Sequence, residues 1–165
     1  MSVKCMFMDV DGTLTDGKLY IGHNGEVMKA FSVKDGFGIK LLSDEYGVTP
    51  IVLTGRISMI VKKRCKELGI RELYQGVKNK VELIRSYCDF FTPASISYIG
   101  DDINDLEAIS YVNSIGGVTA CPADAAAAVK EAVTYLCEHK GGEGAVRDFT
   151  EYMIVNKLVS KINEQ

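Results

Sequence analysis

Short apolar runs alternate with longer amphipathic stretches along this chain. Apolar residues dominate Val3–Val10, Pro50–Leu53 and Ile96–Ile99, and charged or turn-forming residues bound each run. Runs of this length are typical of buried strands. Because buried strands that alternate with helices form parallel sheets covered on both faces, the pattern predicts an α/β fold: a Rossmann-like parallel sheet flanked by helices.

The stretches between these runs have helical patterns with recognisable ends. Ser58 is a suitable N-cap, and Gly47 and Gly69 follow the last residues of their helices. Two more short strands are predicted at Ser114–Ile115 and Val133–Leu136. The predicted helices are Gly36–Tyr46, Ser58–Leu68, Lys78–Tyr87, Leu106–Tyr111, Ala123–Ala132 and Ala145–Ile162.

A protruding β-hairpin is predicted at about residues 18–31. Leu19–Ile21 and Val27–Phe31 lie on either side of Asn24-Gly25, a dipeptide typical of tight hairpin turns. An isolated two-stranded ribbon is marginally stable in water and needs a packing partner. The hairpin is therefore either an ordinary edge ribbon or an assembly element.

Composition narrows the class of protein. The 165 residues favour a single domain over 1–165, and the net charge of −3 gives no basic field for nucleic acid or an anionic membrane. No apolar stretch approaches the roughly 20 residues of a membrane span, and we expect no signal peptide. Five cysteines without a C-x-x-C pair indicate reduced thiols and a cytoplasmic protein, and two histidines make a histidine-based site improbable.

Polar side chains follow three of the predicted strands. Asp9 and Asp11 end the first, Thr54 ends the second, and Asp101 and Asp102 end the third. Ligands of parallel α/β sheets bind beyond the carboxyl ends of the strands. We therefore expect these residues to meet at one edge of the sheet.

The first of these strand ends, DVDGT, suits phosphoryl transfer. Asp9 could attack phosphorus as a nucleophile, and Asp11 could protonate the leaving alcohol and later activate water. Gly12 permits a tight turn, and the Thr13 hydroxyl could hold it. The alternative is a strand that simply runs into an Asp-Gly turn.

Two further residues could bind the phosphate. The Thr54 hydroxyl and the backbone N–H of Gly55 could bind phosphoryl oxygens near a helix N-terminus, or Thr54 could cap that helix. Lys80 could offset the negative charge of the nucleophile and the phosphate. Alternatively it is a solvated lysine, and Lys78 competes for the same role.

The segment GDDIND places three acidic residues within five positions at a strand end. One or two acidic residues would suffice to cap a helix, whereas Asp101, Asp102 and Asp105 together indicate a hard cation. Mg²⁺ prefers carboxylate, water and phosphate ligands. Such an ion would offset the repulsion between Asp9 and an incoming phosphate.

Taken together, DVDGT, Thr54, Lys80 and GDDIND resemble, in order and spacing, the four motifs of the haloacid dehalogenase (HAD) superfamily of phosphatases. The resemblance implies that Asp9 is the nucleophile and Asp11 the general acid/base. It also implies that Thr54 and Lys80 hold the phosphate. The implied Mg²⁺ site comprises Asp9, the backbone carbonyl of Asp11 and Asp101, supported by Asp102 and Asp105.

The spacing between the motifs leaves no room for a cap domain. The chain resembles one subfamily, the capless 3-deoxy-D-manno-octulosonate 8-phosphate phosphatases, through DGKLYIGHNGE, FSVKDGFGIKLL, VLTGRIS and GGEGAVRD. That resemblance implies a homotetramer formed through the hairpins, a site covered by a neighbouring subunit, and a product used in lipopolysaccharide synthesis. It also implies that Gly141–Arg147, part of a C-terminal tail and helix at about 141–165, helps to close a site. Without the resemblance, this segment could be a flexible link.

Selectivity is expected to depend on Arg56, whose guanidinium could grip a substrate carboxylate with two hydrogen bonds. Related nine-carbon enzymes have Glu at this position and Lys eleven residues later, where this chain has Arg56 and Glu67, so the eight-carbon substrate is favoured. Lys34 stands where the eight-carbon enzymes more often have Arg. The predicted substrate-binding residues are Arg56, Gly55, Thr13, Lys34, Asp35 and Arg147.

Two other functions stay open from the sequence. One is a phosphatase for a nine-carbon 2-keto-3-deoxy sugar acid 9-phosphate of the sialic-acid type. The other is a non-catalytic assembly domain related to those fused to sialic-acid-activating synthetases.

Overall fold

The computed structural model describes residues 2–164, so Met1 and Gln165, the ends of the predicted domain, lie outside the described residues. The strands are β1 (Cys5–Met8), β2 (Tyr20–Gly22), β3 (Gly25–Met28), β4 (Thr49–Thr54), β5 (Glu72–Gln75), β6 (Ile96–Ile99), β7 (Val118–Cys121) and β8 (Tyr135–Leu136). Six of them form one sheet in the order β5-β4-β1-β6-β7-β8. Every pairing within this sheet is parallel, which confirms the predicted α/β class.

Helices cover the sheet and mostly begin and end where the capping residues predict. Ser58 accepts a hydrogen bond from the Val61 N–H, and Gly47 and Gly69 have φ values of 65° and 75° beyond the helix ends. The helices are α1 (Val33–Tyr46), α2 (Met59–Leu68), α3 (Lys80–Tyr87), α4 (Leu106–Ser114), α5 (Ala127–Ala132) and α6 (Ala145–Val155).

Three predicted boundaries are wrong, because tertiary hydrogen bonds override local pattern. Residues 114–115 end α4 and do not form a strand; the strand follows the Gly116-Gly117 turn. Residues 123–126 lie outside α5, since the Ala123 and Ala126 N–H groups donate to His139 and Asp101 carbonyls. Helix α6 ends seven residues early, where the chain turns so that the Leu158 carbonyl accepts from the Val3 N–H.

The central strand β1 is buried on both faces. Met6 and Met8 pack into the apolar cluster formed with α1, α2 and α6. Cys5 and Phe7 pack into the cluster formed with α3, α4 and α5. The end of β1 is therefore held rigidly in the middle of the sheet, which is where the first aspartate follows.

The hairpin prediction is confirmed, and no cap domain accompanies it in the described chain. Strands β2 and β3 form a separate two-stranded antiparallel sheet, with Gly25 at φ 106° directly after the turn. A further bridge joins Thr15 to Phe31 at its base. Among the described residues, no helix has both the length and the apolar character that a membrane span requires.

Candidate active site

Three loops meet at the carboxyl edge of the sheet and line a cavity of about 540 Å³. They follow β1, β4 and β6, as the positions of the strand ends predict. The hairpin contributes one side chain at the rim, Leu19. The lining residues are Asp9, Asp11, Gly17, Leu19, Thr54, Gly55, Arg56, Asp101, Asp102, Ile103 and Asn104.

The loop after β1 is a single tight turn around Gly12. The Thr15 N–H closes it by donating to the Val10 carbonyl at 3.0 Å, and Gly12 has φ 92°. A Cβ at Gly12 would lie 2.0 Å from Asp101 Oδ2, so only glycine fits here. The Thr13 hydroxyl donates to Asp101 Oδ1 at 3.0 Å, which ties this loop to the one after β6.

The floor of the cavity is a buried cluster of charges. Lys80 Nζ donates to Asp9 Oδ1 at 2.9 Å and to Asp105 Oδ1 at 2.6 Å. The Tyr98 hydroxyl also donates to Asp105. The second oxygen of Asp105 accepts from the N–H groups of Asp101 and Asp102 at 3.0 and 3.2 Å. Asp105 therefore orients Lys80 and fixes the loop, with both of its oxygens engaged.

The floor carries more negative than positive charge. Burial and the nearby Asp105 raise the pKa of Asp9 to about 6, although Lys80 opposes this. Burial and the charges of Asp9 and Asp105 raise the pKa of Asp101 to about 7. Burial lowers the pKa of Lys80, but the two carboxylates raise it above its usual value overall. This excess of buried carboxylate favours a bound cation.

The oxygens needed to hold a cation are close together. One carboxylate oxygen each from Asp9, Asp101 and Asp105 lie within 4.8 Å of one another. Asp102 lies at the edge, where its side chain accepts from the Ile103 N–H at 2.8 Å and caps the turn. Hard oxygen donors of this kind fit Mg²⁺.

The Asp11 carboxylate contacts cations at the wall of the cavity. It accepts a hydrogen bond from Lys29, and Arg56 Nε lies 3.9 Å from its other oxygen. Lys29 Nζ also lies 2.9 Å from Glu26, which accepts a hydrogen bond from the Ser58 hydroxyl. Burial lowers the pKa of Lys29, but its two carboxylate partners raise it above its usual value overall.

Sequence reasoning missed Glu26 and Lys29. Both lie in or beside β3, which was recognised by its apolar residues alone. The apolar residues of this strand, Val27 and Met28, are more than half exposed, whereas the side chain of Lys29, the residue after β3, is 1% exposed. A lysine inside a predicted strand was the available signal, but its partner Asp11 is distant in sequence.

The predicted substrate-binding residues separate into two groups. Gly55 and Arg56 line the cavity, and Thr13 is buried directly beneath it. Lys34, Asp35 and Arg147 do not line it. Asp35 is 2% exposed and accepts from the Arg147 N–H at 2.9 Å, and the Arg147 side chain lies over Phe37 and pairs with Glu151. For these three, a substrate-binding role stays a prediction.

The segment that begins at Gly141 packs against the catalytic loop. The Gly142 N–H donates to the Thr13 carbonyl at 3.0 Å, and a Cβ at Gly141 would lie 1.8 Å from the Gly12 carbonyl oxygen. Asp124 accepts from the Gly141 N–H at 3.0 Å. These contacts argue against a free link and make the segment a support for the Asp11 turn.

The parallel sheet, the paired aspartates after its central strand and the Lys80–Asp105 cluster define a class, the HAD-type phosphatases. No family model matches the chain. The 3-deoxy-D-manno-octulosonate 8-phosphate phosphatase KdsC of Escherichia coli K12 is 35% identical over 158 residues, covering 93% of this chain and 80% of that protein.

Solved structures with a similar fold are also phosphatases of this kind. The cobalt-bound deoxy-D-mannose-octulosonate 8-phosphate phosphatase of Haemophilus influenzae has a TM-score of 0.86 and 37% identity, covering 95% of this chain and 90% of that one. The Moraxella catarrhalis phosphatase, in complex with magnesium, phosphate and KDO, has a TM-score of 0.84 and 33% identity, covering 94% and 89%. The chain belongs to the KdsC family of 3-deoxy-D-manno-octulosonate 8-phosphate phosphatases.

Proposed function

We propose that this chain is a Mg²⁺-dependent phosphatase that hydrolyses 3-deoxy-D-manno-octulosonate 8-phosphate to the free sugar acid and phosphate. The observation that carries the proposal is the buried Asp9–Lys80–Asp105 cluster beside Asp101, at the carboxyl edge of a fold shared with a family member solved in complex with magnesium, phosphate and KDO. The product would enter lipopolysaccharide synthesis.

In the first step, Asp9 attacks phosphorus in line. A bond forms between its carboxylate oxygen and phosphorus, the bond from phosphorus to the sugar oxygen breaks, and Asp11 donates a proton to that oxygen. Lys80, 2.9 Å from Asp9, favours the ionised nucleophile. The Thr54 hydroxyl and the Gly55 N–H bind the transferring oxygens.

In the second step, the aspartyl-phosphate is hydrolysed. Asp11 takes a proton from water as the water oxygen attacks phosphorus, and the bond from phosphorus to Asp9 breaks. Phosphate leaves and the Asp9 carboxylate is regenerated. Asp11 is thereby returned to its protonated form for the next substrate, so protons balance over the cycle.

The cation site would comprise Asp9, the backbone carbonyl of Asp11 and Asp101. Asp105 has both oxygens hydrogen-bonded to the protein, so a supporting role suits it better than direct ligation. Asp102 supports the same loop through its cap. When bound, Mg²⁺ supplies positive charge that offsets the repulsion between the carboxylates and the phosphate.

We assign substrate selectivity to residues at the rim of the cavity. The Arg56 side chain is 51% exposed and lies beside Asp11, where it can reach a carboxylate of a bound sugar acid. Glu67 is two-thirds exposed and pairs with Arg64 at 3.0 Å. Lys34, Asp35 and Arg147 do not line the cavity, and their role in substrate binding stays a prediction.

We also propose a homotetramer built through the hairpins and acting in the cytoplasm. Leu19, Ile21, Val27 and Met28 are 48 to 62% exposed, an apolar surface that another subunit could cover. The five cysteines are free thiols, typical of a reducing compartment. Sedimentation of the wild-type chain and an Ile21→Asp variant tests the assembly, and a dimer or monomer for the wild type would contradict it.

The test of function is Mg²⁺-dependent phosphate release from the eight-carbon 8-phosphate, its nine-carbon 9-phosphate analogue and an aryl phosphate. We expect kcat/KM to be highest for the eight-carbon substrate. A nine-carbon preference would contradict the substrate but keep the chemistry. No release from any of the three would favour a non-catalytic assembly domain.

A further inference from the structure

The hairpin delivers a buried ammonium group to the wall of the active site. Lys29 reaches from β3 to the Asp11 carboxylate, and its side chain is 1% exposed. Its ammonium group is engaged by Asp11 and Glu26, and it is not among the residues that line the cavity. Its contact with the reaction is therefore through Asp11.

Further contacts hold the Lys29 ammonium group in place. Glu26 Oε1 lies 2.9 Å from Lys29 Nζ, and the other Glu26 oxygen accepts from the Ser58 hydroxyl. Ser58 is itself immobilised, because it caps α2 and its N–H donates to Gln75 at 2.6 Å. A continuous chain of contacts thus runs from the start of α2 through Glu26 and Lys29 to Asp11.

Burial of the Lys29 ammonium group has a free-energy cost, so the stability of the fold alone does not account for it. An ammonium group taken out of water must be compensated by paired carboxylates, and apolar residues of similar volume often serve stability equally well. In β3 the apolar side chains Val27 and Met28 instead face outward. The strand thus places the Lys29 ammonium group beside the Asp11 carboxylate.

We propose that Lys29 is a positioning residue that holds the Asp11 carboxylate at the reacting phosphoryl group, with Glu26 and Ser58 holding Lys29. The proposal rests on the proposed phosphatase function, in which Asp11 is the general acid and base. A carboxylate without this partner would occupy several rotamers, and small errors in placement of a catalytic group are costly to rate. The contact between Lys29 and Asp11 also connects the hairpin to the proposed general acid and base.

The test compares Lys29→Met with Lys18→Met, the same substitution at an exposed lysine of the hairpin region whose side chain is 72% exposed. We expect Lys29→Met to lower kcat for the eight-carbon substrate about 10²-fold, the usual contribution of general acid–base catalysis, with KM changed less than about two-fold. Lys18→Met should match the wild type. Because Lys29→Met leaves Glu26 unpaired, Glu26→Gln/Lys29→Met serves as a folded second variant, checked by circular dichroism.

An aryl phosphate separates positioning from a structural defect. When the aryl group is 4-nitrophenyl, the weakly basic phenolate departs without a proton, so the first step needs no acid, whereas hydrolysis of the aspartyl-phosphate still needs Asp11 as base. We expect rapid release of about one phenolate per chain from Lys29→Met, followed by slow turnover. A merely structural role would instead lower the amplitude of the first release in proportion to the loss of turnover.

That proportional loss, or full activity of both Lys29 variants, would overturn the positioning role. A wild-type chain that hydrolyses the aryl phosphate but not the sugar phosphate would overturn the proposed substrate, while the two phases with the aryl phosphate still decide the role of Lys29. A wild-type chain inactive on both would overturn both proposals.

Discussion

The floor and the rim of the cavity differ in solvent exposure: the side chains of the floor are buried, and those of the rim are exposed. On the floor, Asp9, Lys80, Tyr98 and Asp105 are buried and joined by hydrogen bonds. On the rim, the Arg56 side chain is half-exposed, and Ile103, which also lines the cavity, is 67% exposed. The contrast shows that a single chain completes the charged floor, whereas the rim, where we propose that the substrate is selected, stays exposed.

The largest expected effect comes from removing the nucleophile on the floor. Asp9→Asn should lower turnover on the order of 10⁴-fold or more, because no other carboxylate occupies its place at the end of β1. Phosphate release measures the loss, and circular dichroism should match the wild type. Asp44→Asn on the exposed face of α1 is the control. Undiminished release from folded Asp9→Asn would remove Asp9 from the mechanism.

Removing the organising residue of the floor should affect both folding and activity. Asp105→Asn removes the negative charge that pairs with Lys80 and replaces one acceptor oxygen with an NH2 donor, so either Lys80 and Tyr98 or the two backbone N–H groups lose their acceptor; breaking such a buried pair typically costs about 3 kcal/mol. Urea unfolding measures the change, with Asp89→Asn on the surface as the matched control. Equal stability of the two variants would show that Asp105 does not hold the floor together.

Substitution of Asp35 tests whether this predicted substrate-binding residue instead stabilises the fold. Burial, opposed by the Arg147 N–H, raises the pKa of Asp35 from 3.8 to about 6. The native state therefore binds this proton more tightly than the unfolded state, and its contribution to stability is lost as pH rises from about 4 to about 6.

Asp35→Asn removes this titration. Relative to the wild type, the free energy of unfolding of the variant should rise between pH 4 and pH 7, by up to about 3 kcal/mol for a shift of this size. Urea unfolding at several pH values measures it. Parallel curves for the two proteins would mean that Asp35 does not titrate in the fold, and a large rise in KM would return it to the substrate-binding residues.

The smallest expected effect lies at the rim itself. Arg56→Ala should raise KM for the eight-carbon sugar acid phosphate about 10-fold, since it removes a charged hydrogen-bond donor from the carboxylate. An aryl phosphate without a carboxylate should be little affected. Arg71→Ala, at an exposed position, is the control. An equal loss with both substrates would mean that Arg56 acts through Asp11, 3.9 Å away, and not on the carboxylate.

The floor of the cavity and the rim residues Gly55 and Arg56 were predictable from sequence, whereas the wall that the hairpin contributes was not, for a physical reason. Asp9, Thr54 and Asp101 each follow a buried strand, and a parallel sheet necessarily brings such strand ends together. Lys29 contacts Asp11, and Glu26 contacts Lys29, through the fold of the hairpin, whose strand pattern does not reveal which side chains are buried. The boundaries of α5 and α6 were wrong because the backbone groups of Ala123, Ala126 and Leu158 pair with distant parts of the chain.

The central claim is that the Asp9 carboxylate carries the phosphoryl group. The most direct test is to mix the protein with the eight-carbon substrate labelled with ³²P, stop the reaction with acid during the first turnover, and measure label bound to protein. The account predicts acid-stable, hydroxylamine-sensitive label in the wild type and none in Asp9→Asn. Turnover by the wild type without bound label at any quench time, or equal label in the variant, would contradict it.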